Sequence, residues 1–114
     1  MTKYLISFPS SAMDHIAHED FPAVSAASHA VVQEAKDAGV WVFGGGINEH
    51  VPSVMVSGDG TVTKDTYAQT RELDGGFPFL EVPTREEALV WAAKVAVSCR
   101  CAQELREFQY DPES

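Results

Sequence analysis

Positive charge is scarce in this chain. Eight lysines and arginines stand against 17 aspartates and glutamates, leaving a formal charge of −9 over 114 residues. Nucleic acid and anionic membrane both select for Lys and Arg, so neither is expected as a partner. Acidity of this kind serves solubility and does not by itself specify a cationic ligand. Long apolar runs are also missing. Nothing approaches the roughly 20 residues that a membrane-spanning helix needs. Met1-Thr2-Lys3 leads straight into a strand-like segment with no signal-peptide core. A cytoplasmic protein is the expectation. Cysteine is limited to Cys99 and Cys101, with Arg100 between them. That spacing disfavours a mutual disulfide, and two ligands are too few for structural zinc. We read them as reduced thiols at an element boundary, and expect no metal or cofactor.

What is present suits one soluble globular domain spanning residues 1–114. An apolar fraction of 45% with 22% charged residues is ordinary for that class, and the length allows a single modest core. Tyr4–Phe8 reads as a first strand stopped by Pro9. Ser10–Asp20 has no sustained period and reads as a loop. Val24, Ala27, Val31, Ala35 and Ala38 then recur at steps of three and four, predicting a helix that Gly39 ends. Val40–Phe43 is a strand-length apolar run closed by Gly44-Gly45-Gly46. Val54–Ser57 and Thr61–Thr63 flank Gly58-Asp59-Gly60 as a hairpin. Phe77–Val82 is the next strand. Thr84 and Glu87 form a capping box opening a second helix that runs to about Val97. Glu104–Phe108 alternates as a final strand, and Tyr110–Ser114 is a polar tail.

Two helices with strands on both sides predict an α+β, ferredoxin-like antiparallel sheet with both helices on one face. The other face then needs cover.

The stretch Thr63–Val82 reads T-K-D-T-Y-A-Q-T-R-E-L-D-G-G-F-P-F-L-E-V. This order resembles the YCII-related superfamily, and within it the group named for a D-G-P-F motif. Members of that group read D-G-P-F-A-E-T-K-E, two or three polar residues, G-G and a strand ending in E-V. Asp65, Ala68, Thr70, Arg71, Glu72, Gly75, Gly76, Glu81 and Val82 fill those places here. Thr66-Tyr67 stands where G-P-F would, one residue shorter, so the namesake motif is degenerate. The resemblance implies a homodimer whose sheets pack face to face as a dimeric α/β barrel. The bulk of Trp41, Phe43, Met55, Phe77 and Phe79 is consistent with such a covered face. The resemblance carries a fold and not a reaction.

The wider superfamily has a His–Asp pair beside the first helix, carried by P-x-H-x-x-x-L and D-P-aromatic segments. Neither segment is present here. His29, the only histidine on the first helix, falls about 160° from the centre of its apolar stripe at ~100° per residue and is expected in solvent. His15 and His18, with Glu19 and Asp20, lack a third distant ligand and the helical geometry of a metal motif, so a solvated loop is the default. His50 stands alone near a turn. Gly44-Gly45-Gly46 lacks the Lys-Ser/Thr of a phosphate loop and reads as a bulge or close backbone approach.

Asp65, Tyr67, Thr70 and Arg71 are the candidate ligand-binding set. They gather a carboxylate, a phenol, a hydroxyl and a guanidinium on one irregular segment braced by a strand. Arg71 can take a ligand carboxylate by two parallel bonds. Equally, Asp65 and Thr70 can serve as turn and cap residues, with Arg71 paired to Glu72 or Asp74. Ser7, on the first strand, is a further candidate for the same cleft. Three function classes follow. The first is a small dimeric protein binding a small, anionic ligand beside the sheet. The second is an acid–base lyase- or isomerase-like enzyme. The third, which only the D-G-P-F resemblance implies, is an accessory protein linked to extracytoplasmic-function sigma factors.

Overall fold

The computed structural model describes all 114 residues. In chain order the elements are β1 (Thr2–Ser7), α1 (Phe21–Asp37), β2 (Trp41–Phe43), β3 (Met55–Val56), β4 (Val62–Thr63), β5 (Phe79–Val82), α2 (Arg85–Cys99) and β6 (Glu104–Glu107). Short 3-10 turns occupy Ser10–Met13, His18–Asp20 and Ala68–Thr70. Four strands form one antiparallel sheet in the order β2-β5-β1-β6. Each helix carries the chain past one intervening strand, which is the ferredoxin-like α+β layout expected above. The pair β3–β4 stays outside this sheet as a separate two-stranded hairpin.

Alternation along the strands decides what is buried. Tyr4 and Ile6 on β1, with Leu80 and Val82 on β5, point at the helices and are almost wholly buried. Ala35 on α1 and Ala88 and Ala92 on α2 meet them. Small helix residues opposite large strand residues let the layers interdigitate. Trp41 also packs on this helix-side core. Its bulk is therefore not part of the open face. A register shift between Trp41 and Phe43 separates the two, leaving Phe43 against Phe79 with ring centroids 6.2 Å apart. Phe79 in turn stacks on Phe108 at 5.9 Å. The face away from the helices therefore carries an uncovered aromatic row.

The face of α1 is rotated slightly from its apolar stripe. Val24 and Ala35 are buried and Val31 is half-buried, but Ala27 and Ala38 are exposed. The buried line instead runs Val24, Ser28, Val31, Ala35, at helical steps of four, three and four. Gly39 takes φ +74° and ends the helix. His29 is exposed.

Helix α2 begins where the capping box predicts. Thr84 is extended and its hydroxyl accepts from the Glu87 N–H at 3.2 Å. It runs to Cys99, two residues past the expected end, with Arg100 in the left-handed region at φ 56°. Thr84→Ala should cost about 1 kcal/mol. Thermal melts should place that variant about 4–8 °C lower.

The molecule is spread and flat. It measures 42 × 42 × 20 Å, and its radius of gyration is 15.9 Å. A compact chain of this length has about 13 Å. Its accessible surface is 7961 Å². The size scaling for a compact monomer of 12.4 kDa gives about 6,100 Å².

Candidate functional site

The double glycine holds the candidate segment in place. Gly76 and Phe8 exchange backbone bonds, with Phe8 N donating at 3.3 Å and Gly76 N at 3.2 Å. On the other side Ile47 N donates to Gly75 O at 2.9 Å and Phe77 N to Gly45 O at 2.9 Å. The end of β1, the triple-glycine loop and Gly75-Gly76 thus cross within backbone distance. A Cβ on Gly76 would lie 2.7 Å from the Phe8 ring. Gly44 lies equally tight against the Trp41 indole. These glycines let backbones approach.

From this crossing the chain projects outward. The hairpin β3–β4 and the 3-10 turn Ala68–Thr70 enclose a groove of about 590 Å³. Its lining is half apolar, with Ile47, Met55, Val56 and Leu73, and includes Thr66, Tyr67, Thr70 and Arg71 among its polar groups. Three of the five sequence candidates, Tyr67, Thr70 and Arg71, therefore share one groove. Asp65 lies next to it, and its Oδ1 accepts from the Thr66 N–H at 2.8 Å. Thr70 closes the 3-10 turn, its N–H donating to Tyr67 O at 3.1 Å and its hydroxyl at 3.5 Å.

Ser7 sits elsewhere. It is buried on the uncovered sheet face, where Arg106 Nη1 donates to its Oγ at 3.4 Å. Arg106 also pairs with Glu104 at 3.3 Å. This second hollow, about 350 Å³, is lined by Leu5, Ser7, Glu72, Asp74, Phe77 and Arg106 among others. Leu73 lines both hollows and joins them. Sequence reasoning missed Arg106 and the apolar lining residues Ile47, Met55, Val56 and Leu73. Alternation along β6 places Arg106 opposite Leu105, but only the β1–β6 register brings it near Ser7.

Arg71 forms no ion pair with Glu72 or Asp74. The salt bridges join Lys94 to Glu34, Arg100 to Asp20 and Arg106 to Glu104. Asp74 instead accepts the Ser10 N–H at 3.0 Å. Arg71 is also the only charged side chain lining its groove.

The remaining candidates are dispersed. His15 and His18 are exposed, and His18 packs edge-on to Phe21 at 6.1 Å. No three His, Cys, Asp or Glu side chains converge on one point. Cys99 is buried and Cys101 half-buried, both as free thiols. Burial pushes both thiol pKa values up, and for Cys101 the neighbouring Cys99 adds to this. A raised pKa leaves little thiolate at neutral pH, so neither is an activated nucleophile. No helix is long and apolar enough to cross a membrane.

The sheet order and the two helices on one face match the α+β layout expected from the sequence. No curated protein matches the chain. A family model for the YCII-related domain matches residues 9–98, about four fifths of the length, taking in both helices, the hairpin and the Asp65–Glu72 segment. The chain is a member of the YCII-related domain family.

Proposed function

We propose that this is a small dimeric cytoplasmic protein that binds a small carboxylate ligand in the groove between the β3–β4 hairpin and the Ala68–Thr70 turn. The observation that carries the reading is Arg71. It is a permanently charged, planar donor with no internal carboxylate partner, lining a half-apolar groove together with Thr66, Thr70 and the Tyr67 phenol. Apolar side chains interspersed with polar groups are the usual composition of a ligand site. The guanidinium fork matches a carboxylate bidentately, while Thr70 and Tyr67 offer hydroxyls to the ligand's remaining polar atoms. No carboxylate or imidazole, the groups most used for proton transfer, lines the groove. That favours binding over lyase or isomerase chemistry.

The dimer supplies what one protomer lacks. Phe43, Phe79 and Phe108 form an aromatic row on the sheet face that the helices leave open. A second copy packed on this face, as the family resemblance implies, would cover it.

Calorimetric titration with a panel of aliphatic and aromatic monocarboxylates tests the site. Arg71→Lys should weaken the best ligand by about 1–3 kcal/mol, the worth of a charge-assisted bond. Its melting temperature should stay close to wild type, because Arg71 braces nothing. A panel in which nothing binds, or an Arg71→Lys protein that binds as well as wild type, would retire the assignment.

A further inference from the structure

The segment from Ile47 to Leu73 behaves unlike the rest of the chain. Strands β3 and β4 bond only to each other and stand clear of the main sheet. Yet Val51, Val54, Val56, Val62, Tyr67 and Leu73 along it are each between 50% and 71% exposed. A two-stranded hairpin is marginal in water without something to pack on. Six large apolar side chains at least half exposed along one weakly braced arm are the kind of surface that marks an interaction site.

We infer that the Ile47–Leu73 arm is an interface element that packs against a second copy of this chain, so that the dimer is built from the arm as well as the sheet face. The inference rests on the dimer reading above and extends it. Two observations commit the occupant to a second copy. The first is continuity. Leu73 belongs both to the arm groove and to the hollow on the uncovered sheet face, whose lining also includes Leu5 and Phe77. The two hollows therefore adjoin at Leu73, and a partner seated on the sheet face reaches the arm.

The second is area. The protomer exposes about 1,800 Å² more than a compact monomer of its mass. A standard interface covers about 800 Å² on each partner, whereas obligate homodimers bury 2,000–5,000 Å² in total. The excess is thus about twice a standard share, and over two protomers its roughly 3,600 Å² lies within the obligate range. With the arm docked, the Arg71 groove lies at the boundary between the copies, where exclusion of water strengthens a guanidinium–carboxylate contact.

Sedimentation velocity over a dilution series, with far-UV circular dichroism on the same samples, is the test. The variants are Val56→Asp and Val62→Lys on the arm and Phe43→Asp on the sheet face. All three residues are well exposed in the protomer, so the folded protomer tolerates the change. Two-fold symmetry places each new charge in the interface twice. Both arm variants should raise the dimer dissociation constant by about 100-fold or more with native circular dichroism, as Phe43→Asp should. Arm variants that dimerise like wild type while Phe43→Asp dissociates would overturn the arm inference and leave the sheet-face dimer standing. A wild-type monomer would overturn both.

Discussion

Gly75→Ala should destabilise the protein by about 4 kcal/mol or more, a large part of the 5–15 kcal/mol that holds an ordinary domain together. Two penalties coincide at this position. Gly75 has φ +88°, where an L side chain costs roughly 1–2 kcal/mol. A Cβ there would also lie 1.9 Å from Phe8 O, 2.9 Å from Phe8 C and 3.0 Å from Pro9 C. All three atoms are backbone, so no rotamer change relieves the clash. The end of β1 must move, and the Phe8–Gly76 exchange of bonds is then lost at about 1 kcal/mol per bond. Gly39→Ala is the control. Its φ is +74°, but a Cβ there meets nothing within 4 Å, so only the backbone term remains. Urea denaturation of the two variants at one protein concentration separates the terms. A Gly75→Ala loss no greater than that of Gly39→Ala would show that the crossing of β1 and the double glycine is slack.

Ile6→Ala is the second large effect, expected at about 2–5 kcal/mol and toward the upper end of that range. Ile6 has no exposed surface and lies on one of the two central strands. Its neighbours in the core include Ala35 and Ala92, which carry a single methyl each. Such neighbours cannot lean in to fill the space left behind, so the cavity persists and its cost is added to the lost transfer energy. Val97→Ala on α2 removes less volume from a side chain that is 80% exposed and should change stability within about 0.5 kcal/mol. The expected signature is a lower urea midpoint for Ile6→Ala with an unchanged slope, since the same surface is exposed on unfolding. Melting comparisons need matched protein concentrations, because the proposed dimer would contribute to apparent stability by mass action. An Ile6→Ala loss under about 1 kcal/mol would mean that the two layers are loosely packed.

The hairpin tip adds a small pH dependence. The Thr61 N–H donates to the Asp59 carboxylate at 2.9 Å and holds its pKa below the usual carboxylate range. A depressed pKa contributes stability that is present above the unfolded value and lost as pH falls through the folded one. Any such effect therefore appears only in acid and stays local to β3–β4.

Much of the fold was legible from local signals. The β1 run, the Thr84–Glu87 box, the Gly39 stop and the Gly58–Gly60 turn each report on a few adjacent residues. The physics there is short-ranged: capping bonds, positive φ and alternation. Elements therefore emerge in the right order, with edges off by one or two residues, as where α2 continues to Cys99. The candidate site was legible in part for the same reason. Tyr67, Thr70 and Arg71 lie within five positions, and one turn holds them together.

By itself, then, the sequence determined the element order, the ferredoxin-like class, the family and the irregular segment that carries Arg71, because hydrophobic period, caps and glycines act over a few residues. Tertiary structure alone decided the rest. It turned Trp41 toward the helices through a register shift, set Ser7 beside Arg106 rather than Arg71, and left the β3–β4 arm outside the sheet. Each of these depends on which strand edge pairs with which, and in what register. Pairing between distant segments is settled by the total burial of the assembled layers, a sum to which no local stretch holds the key.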